Sequence, residues 1–143
     1  MQYMTVRLLQ RIGLKVTPQR QALLELLNGN KTHPSAEDIY SKLVSKFPRI
    51  SLKTVYNTLA RLAEAGEIQE LDIDPYRKRF DPNAAPHHHF YCKICGRVFD
   101  VAQGDSFLAG DLNLLDRADV NGHQIDTVQL NFKGVCKECK EKR

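Results

Sequence analysis

No stretch of the 143-residue chain is apolar for long enough to cross a bilayer as a helix. The first residues lack the basic segment, long apolar stretch and small-residue cleavage site of a secretory signal, so a cytoplasmic location is expected. There is no internal repeat, and the only low-complexity tract is the triplet His87, His88 and His89. Cysteine is confined to two pairs, Cys92/Cys95 and Cys136/Cys139. In a secreted chain these could form two disulfides; without a signal, paired CxxC motifs read as a metal site.

The length suits one medium or two small domains. The net charge of +4 is uneven: residues 1–80 carry 13 Lys and Arg against 8 Asp and Glu, whereas the remainder carries 8 against 9. A basic first half joined to a near-neutral second half fits a nucleic-acid-facing domain fused to one with another task.

The first half reads as helices followed by a hairpin. Val6, Leu8, Leu9 and Ile12 form an amphipathic stretch, and Thr17-Pro18 opens a helix closed by Asn28-Gly29-Asn30. Ser35-Ala36-Glu37-Asp38 resembles a capping box, and its helix is expected to reach Lys46. Ser51 caps a helix over residues 52–65, with Leu52, Val55, Leu59 and Leu62 inward and Gly66 beyond its end. Glu67 to Ile73, a turn at Asp74-Pro75, and Tyr76 to Phe80 complete a hairpin. That order is a winged helix-turn-helix.

The breaker-rich segment 82–86 is the expected hinge between a domain over 1–81 and one over 87–143. The second half shows strand-like runs at His89 to Cys92, Arg97 to Val101 and Gln124 to Phe132. Asp105 to Ala118 is expected to be helical through Leu108, Leu112 and Leu115. The fold class is α+β, a winged helix-turn-helix followed by a small α/β domain.

Two CxxC knuckles complete a tetrahedral all-sulfur shell suited to structural Zn2+, with no open position for a substrate. A small, core-poor domain draws folding free energy from such an ion. The alternative is a thiol redox pair, but no thioredoxin-like setting surrounds either motif. A second constellation is softer in outline. In extended chain His87 and His89 share one face and His88 the other. With Asp81, Asp100 and His33 they make a nitrogen and oxygen donor set that suits Fe2+, Mn2+, Co2+ or Zn2+ alike. Each of these residues also has a plainer reading, as surface, turn or cap.

On the expected recognition helix, Lys53, Thr54, Tyr56, Asn57 and Arg61 lie on or near the outer face. Tyr56 and Asn57 suit bases or phosphates, and Lys53 and Arg61 suit phosphates. Lys15 and Arg20 flank an earlier helix start and are placed to grip the DNA backbone or minor groove. Arg77, Lys78 and Arg79 on the wing would add salt-sensitive attraction.

These residues fall into motifs. LKVTPQR (14–20), THPSAEDIY (32–40), ISLKTVYNTLARLAEAGEI (50–68), RFD (79–81), HHHFYCKICGRVFD (87–100) and GVCKEC (134–139) resemble the ferric uptake regulator family across nearly the whole chain. The resemblance implies a dimeric metal-dependent repressor with an N-terminal winged helix and a C-terminal dimerisation domain. It implies structural Zn2+ on Cys92, Cys95, Cys136 and Cys139, and a regulatory hinge site on His33, Asp81, His87, His89 and Asp100. The partner is double-stranded DNA bearing an inverted-repeat, A/T-rich operator.

A further metal site found in some members needs ligands where this chain has Phe107, Val128 and Pro86, and it is expected to be absent. The lack of a fifth cysteine argues against the zinc-sensing branch. Asp at both 81 and 100, beside His33, most resembles the peroxide-sensing branch. There Fe2+ leads to oxidation of a ligand histidine, here His33 or His87, and Mn2+ also activates. An iron-uptake regulator has a nearly identical shell. Two rivals come from other classes. One is a small non-haem metalloenzyme using the His/Asp set, although no general base stands beyond that set. The other is a zinc-stapled interaction module without sensing.

Overall fold

A computed structural model describes residues 3–102 and 119–142. The helix expected over 105–118, with Leu108, Leu112 and Leu115, and the position of Phe107 lie outside the described residues. The chain divides into two compact units, Met1–Ala85 and Pro86–Arg143. The architecture is α+β.

In the first unit, helices α1 (Val6–Arg11), α2 (Pro18–Leu27), α3 (Ala36–Leu43) and α4 (Leu52–Glu64) precede the strands β1 (Gln69–Leu71) and β2 (Arg79–Asp81). The helix starts are set locally. Thr17 Oγ1 accepts from Arg20 N–H with Pro18 in the first turn. Ser35 and Asp38 complete a reciprocal capping box, and Ser51 Oγ accepts from Thr54 N–H. Each cap satisfies a backbone donor that the first helical turn leaves open.

Leu9, Leu27, Val55, Leu59, Leu62 and Phe80 are fully buried at the centre of this unit. Each large apolar side chain contributes about 1.5–3 kcal/mol by leaving water. The hairpin β1–β2 is antiparallel, with Glu70 opposite Phe80. Phe80 thus carries the wing into the helical core, and its ring stands nearly perpendicular to that of Tyr56, 6.4 Å away.

Three local departures from the sequence reading have simple causes. α3 stops at Leu43, because the chain tightens into turns where both Lys46 N–H and Phe47 N–H bond to Leu43 O. Leu52, in the first turn of α4, is 39% exposed, and buried Thr58 joins Val55, Leu59 and Leu62 on the inward face. Arg79 is buried rather than presented on the wing.

The second unit contains β3 (His88–Cys92), β4 (Val98–Val101), β5 (Asp119–Val120), β6 (His123–Gln124), β7 (Asn131–Gly134) and the short helix α5 (Lys137–Glu141). β3 is the centre of a three-stranded sheet, antiparallel to β4 and parallel to β7. The strand expected over residues 124–132 is only its two ends, in β6 and β7. Leu130 N–H donates to His88 Nδ1, so this backbone group serves a side chain rather than a ladder.

Candidate metal centres and nucleic-acid interface

The tight turn after β3 brings Cys92 and Cys95 together. Gly96 N–H bonds to Cys92 O, and Gly96 sits at φ +74°, a conformation that favours glycine. Cys136 immediately precedes α5 and Cys139 lies within it. The parallel β3–β7 register, which pairs Cys92 with Gly134, delivers the second knuckle to the first. One sulfur from each cysteine lies within 4.8 Å of all the others. Cys95 Sγ and Cys136 Sγ are 3.8 Å apart. A tetrahedral Zn–S bond of about 2.3 Å gives an S···S edge of roughly 3.8 Å, so the donor set fits zinc.

Electrostatics argue the same way. Burial pushes the Cys92 thiol up, but N–H groups of Cys95, Cys136 and Ile94 outweigh it and bring it down to about 6. Hydrogen bonds from Arg97 lower Cys95. Burial and its sulfur neighbours push Cys139 up to about 12. Four thiols so placed cannot all ionise unaided, whereas a divalent cation makes four thiolates compatible.

The nitrogen and oxygen donors fall into one set on each unit. On the first, His33 Nε2 lies 3.3 Å from Asp81 Oδ2, and both residues are buried. His33 adopts φ +54°, an uncommon conformation for a side-chain-bearing residue. Its loop is pinned to β2 by Arg79 Nη1, which donates to His33 O at 3.0 Å, and by Phe80 N–H, which donates to Pro34 O at 2.8 Å. Arg79 is held in turn by Asp74, with Nε 2.9 Å from Oδ2. Burial raises the Asp74 carboxyl, but Tyr76 N–H and Arg79 lower it further, to a net position below its ordinary value.

On the second unit, His87 and His89 lie on one side of the strand with ring centroids 4.4 Å apart. Asp100 Oδ1 is 2.9 Å from His87 Nε2 and 3.5 Å from His89 Nε2. His88 is turned away, fully buried, and accepts from Leu130 N–H. Burial first, then the neighbouring His87 and His89, lower its pKa from the ordinary histidine value. His123 is exposed.

Lys53, Thr54, Tyr56, Asn57 and Arg61 are all exposed on α4. They are not equally available. Thr54 Oγ1 is 2.9 Å from Ser51 Oγ, and Arg61 Nη2 donates to Ile12 O at 2.6 Å. Arg20 Nη1 donates to Lys15 O at 2.6 Å, which ties the two basic residues into one corner. On the wing, Arg77 pairs with Asp38 and Asp74, and Lys78 with Glu70.

The family model described as the ferric uptake regulator family matches residues 11–132. The chain belongs to that family. It is 37% identical over 136 residues to the peroxide-responsive repressor PerR of Staphylococcus aureus, covering 94% of this chain and 88% of that protein. Among solved structures it resembles the ferric uptake regulator Fur of Helicobacter pylori, described as having three functional metal binding sites, with a TM-score of 0.76 at 25% identity. That match covers 94% of this chain and 89% of the other. It also resembles the Campylobacter jejuni peroxide stress regulator, with a TM-score of 0.67 at 28% identity over 94% and 98% of the two chains. The chain is therefore a metal-dependent transcriptional regulator rather than an enzyme. Regulators of this family bind DNA operators and dimerise.

Two arginines that touch the candidate sites escape sequence reasoning. Arg79 reads as one of three wing cations but is buried beneath the His33 loop. Arg97 reads as an ordinary strand-edge residue, yet its guanidinium reaches sulfurs of both knuckles. Its one available signal is its position two residues after Cys95.

Proposed function

We propose that this protein is a dimeric repressor that senses peroxide. Its four cysteines hold a structural Zn2+. A regulatory Fe2+, replaceable by Mn2+, is shared by His33 and Asp81 of the DNA-reading unit and by His87, His89 and Asp100 of the second unit. The observation that carries this reading is that both units hold preformed nitrogen and oxygen donors. His33 is buried against Asp81 in one, and His87, His89 and Asp100 converge in the other. All five donors are hard or borderline, with no sulfur among them, which suits Fe2+ or Mn2+. The 37% identity to a peroxide-responsive repressor supports the peroxide reading.

The protein's own contribution follows from this division of ligands. A cation bonded to both sets favours one arrangement of the units over all others, and the DNA-reading helices of a dimer are then held at the separation an inverted repeat requires. The ligands would hold Fe2+ beside the imidazoles, where it would activate hydrogen peroxide: the O–O bond would break, one oxygen passing to a ring carbon of the imidazole and the other leaving as water. An imidazole so oxidised is a poorer ligand, so His33 or His87 would lose its grip and repression would end. Domains over 1–81 and 87–143, joined by a hinge at 82–86, give the two sets their freedom to part.

The test is a gel shift on an inverted-repeat operator with Mn2+, with Fe2+, and with Fe2+ followed by peroxide. Mass spectrometry of the same samples locates added oxygen. The expected result is metal-dependent binding, lost with peroxide only in the Fe2+ sample, with one added oxygen atom on His33 or His87. Binding that ignores metal sinks the sensor reading. Binding that needs Fe2+ but leaves both histidines unmodified by peroxide makes the protein an iron-responsive regulator instead.

A further inference from the structure

Arg97 occupies an unusual place. Its Nε donates to Cys95 Sγ at 3.4 Å, and its Nη2 lies 3.8 Å from Cys136 Sγ. These sulfurs belong to different knuckles, at opposite ends of the unit's sequence. The same Nη2 is held at 2.7 Å by Glu138 Oε2, and the guanidinium sits 5.2 Å over the Phe99 ring. Main chain fixes the root of this side chain, since Arg97 O accepts from Cys92 N–H. The guanidinium is thus spread across the two knuckles and fixed from both sides.

A sulfur lone pair engaged by a cationic N–H is less available to an electrophile. Four thiolates around one divalent ion also leave two negative charges in excess, and a guanidinium beside them offsets part of that excess. We infer that Arg97 is a positioning residue that shields the zinc-bound thiolates: by donating to Cys95 and Cys136 it lowers their nucleophilicity and keeps the cluster intact against electrophiles. This rests on the four-cysteine site holding zinc and is independent of what the regulatory site senses.

A merely structural role, through Glu138 and Phe99, predicts a loss of stability and nothing else. The experiment therefore uses the whole 143-residue chain and follows zinc release to a chromophoric chelator, with and without excess N-ethylmaleimide. Attack joins the sulfur to one alkene carbon of the maleimide, the carbon–carbon π bond breaks, the neighbouring carbon takes a proton from water, and the resulting thioether leaves the metal. Zinc content is measured first, and a wild-type protein without zinc overturns the zinc assignment itself.

In Arg97→Ala the second-order rate of maleimide-driven release rises about three- to tenfold, the size of one or two half-exposed hydrogen bonds. Release to the chelator alone is unchanged. Arg97→Lys falls between, because a point cation cannot reach both sulfurs. Glu138→Gln, which removes the ion pair but leaves both sulfur contacts, keeps the wild-type rate. Equal maleimide rates in wild type and Arg97→Ala overturn the proposal. So does an equal acceleration without maleimide, which means the knuckles have simply loosened, or an acceleration in Glu138→Gln as large as in Arg97→Ala.

Discussion

Asp100 stands directly opposite His89 in the antiparallel β3–β4 ladder, and its Oδ1 lies 3.5 Å from His89 Nε2. The same oxygen is 2.9 Å from His87 Nε2, so a single carboxylate oxygen serves two imidazoles two residues apart. Its position is set by sheet register rather than by a loop. Asp100→Asn keeps the side-chain shape but removes the charge that favours a cation. Mn2+ affinity measured by calorimetry is expected to fall by at least about 10- to 100-fold, the loss typical when even an outer-shell partner of a metal ligand is removed. Zinc content and the dimer are expected to be unchanged. Unaltered Mn2+ binding removes Asp100 from the regulatory ligands.

The Arg79–Asp74 pair makes a second prediction. Both residues are nearly inaccessible, and Arg79 also donates to the His33 carbonyl. Arg79→Met leaves the buried Asp74 carboxylate with only Tyr76 N–H and the more distant Arg77, 3.5 Å away, and a loss of about 1.5–3 kcal/mol of first-unit stability, the size of a hydrogen bond to a charged group, is expected in urea melts. The sign of the pH effect follows from Asp74, whose carboxyl is held below its ordinary value when folded. The unfolded chain takes up the proton first. The stabilisation is therefore complete above the ordinary carboxylate range and lost as pH falls below it. In chelator, Asp74→Asn is expected to be less stable than wild type at neutral pH, with the difference narrowing as the solution is acidified. A constant difference at every pH means the pair is not what the carboxylate supports.

That pair also marks the limit of what the sequence reveals. Caps are local: Thr17, Ser35 and Ser51 bond within three residues, so their helix starts are readable from the chain itself. The alternation of His87, His88 and His89 is local too, because strand geometry has a period of two. Arg77-Lys78-Arg79, by contrast, looks like three equal cations. Only the turn at Asp74, where Oδ1 accepts from Tyr76 N–H, turns the third one inward. The apolar alternation of residues 124–132 resembles one strand, yet the register of β3 with β7 begins at Asn131. Such facts depend on which segments meet, and no single stretch of sequence holds them.

Zinc removal should affect the second unit first. Its described core is small, and Cys92 and Cys136 are among its few buried side chains. Structural zinc contributes on the order of 10–16 kcal/mol in small zinc-binding peptides. Treatment with a strong chelator, or Cys136→Ser, is expected to abolish the dimer and the near-ultraviolet signal of the second unit. The helical signal of the first unit should largely survive. A zinc-free protein that remains dimeric would falsify the structural assignment of the four cysteines.

The exposed face of α4 offers groups suited to two kinds of DNA contact. Lys53 offers a point charge in the first turn, suited to phosphate, while Asn57 carries an amide able to pair with adenine in the major groove. Lys53→Ala is expected to weaken operator and unrelated DNA alike. It should lower the slope of log affinity against log salt by about one. Asn57→Ala is expected to leave that slope untouched and to cost about 1–3 kcal/mol on the operator alone, so that specificity relaxes at one base pair. Arg61 is a useful contrast, because its guanidinium is already bonded to Ile12 O and lies beside Gly13 at the end of α1. Its replacement by Ala should therefore lower first-unit stability in addition to any effect on binding. Fluorescence anisotropy at several salt concentrations, paired with urea melts, distinguishes the three. If Lys53→Ala and Asn57→Ala prove indistinguishable in both salt slope and specificity, α4 does not lie in the groove with this face toward the bases.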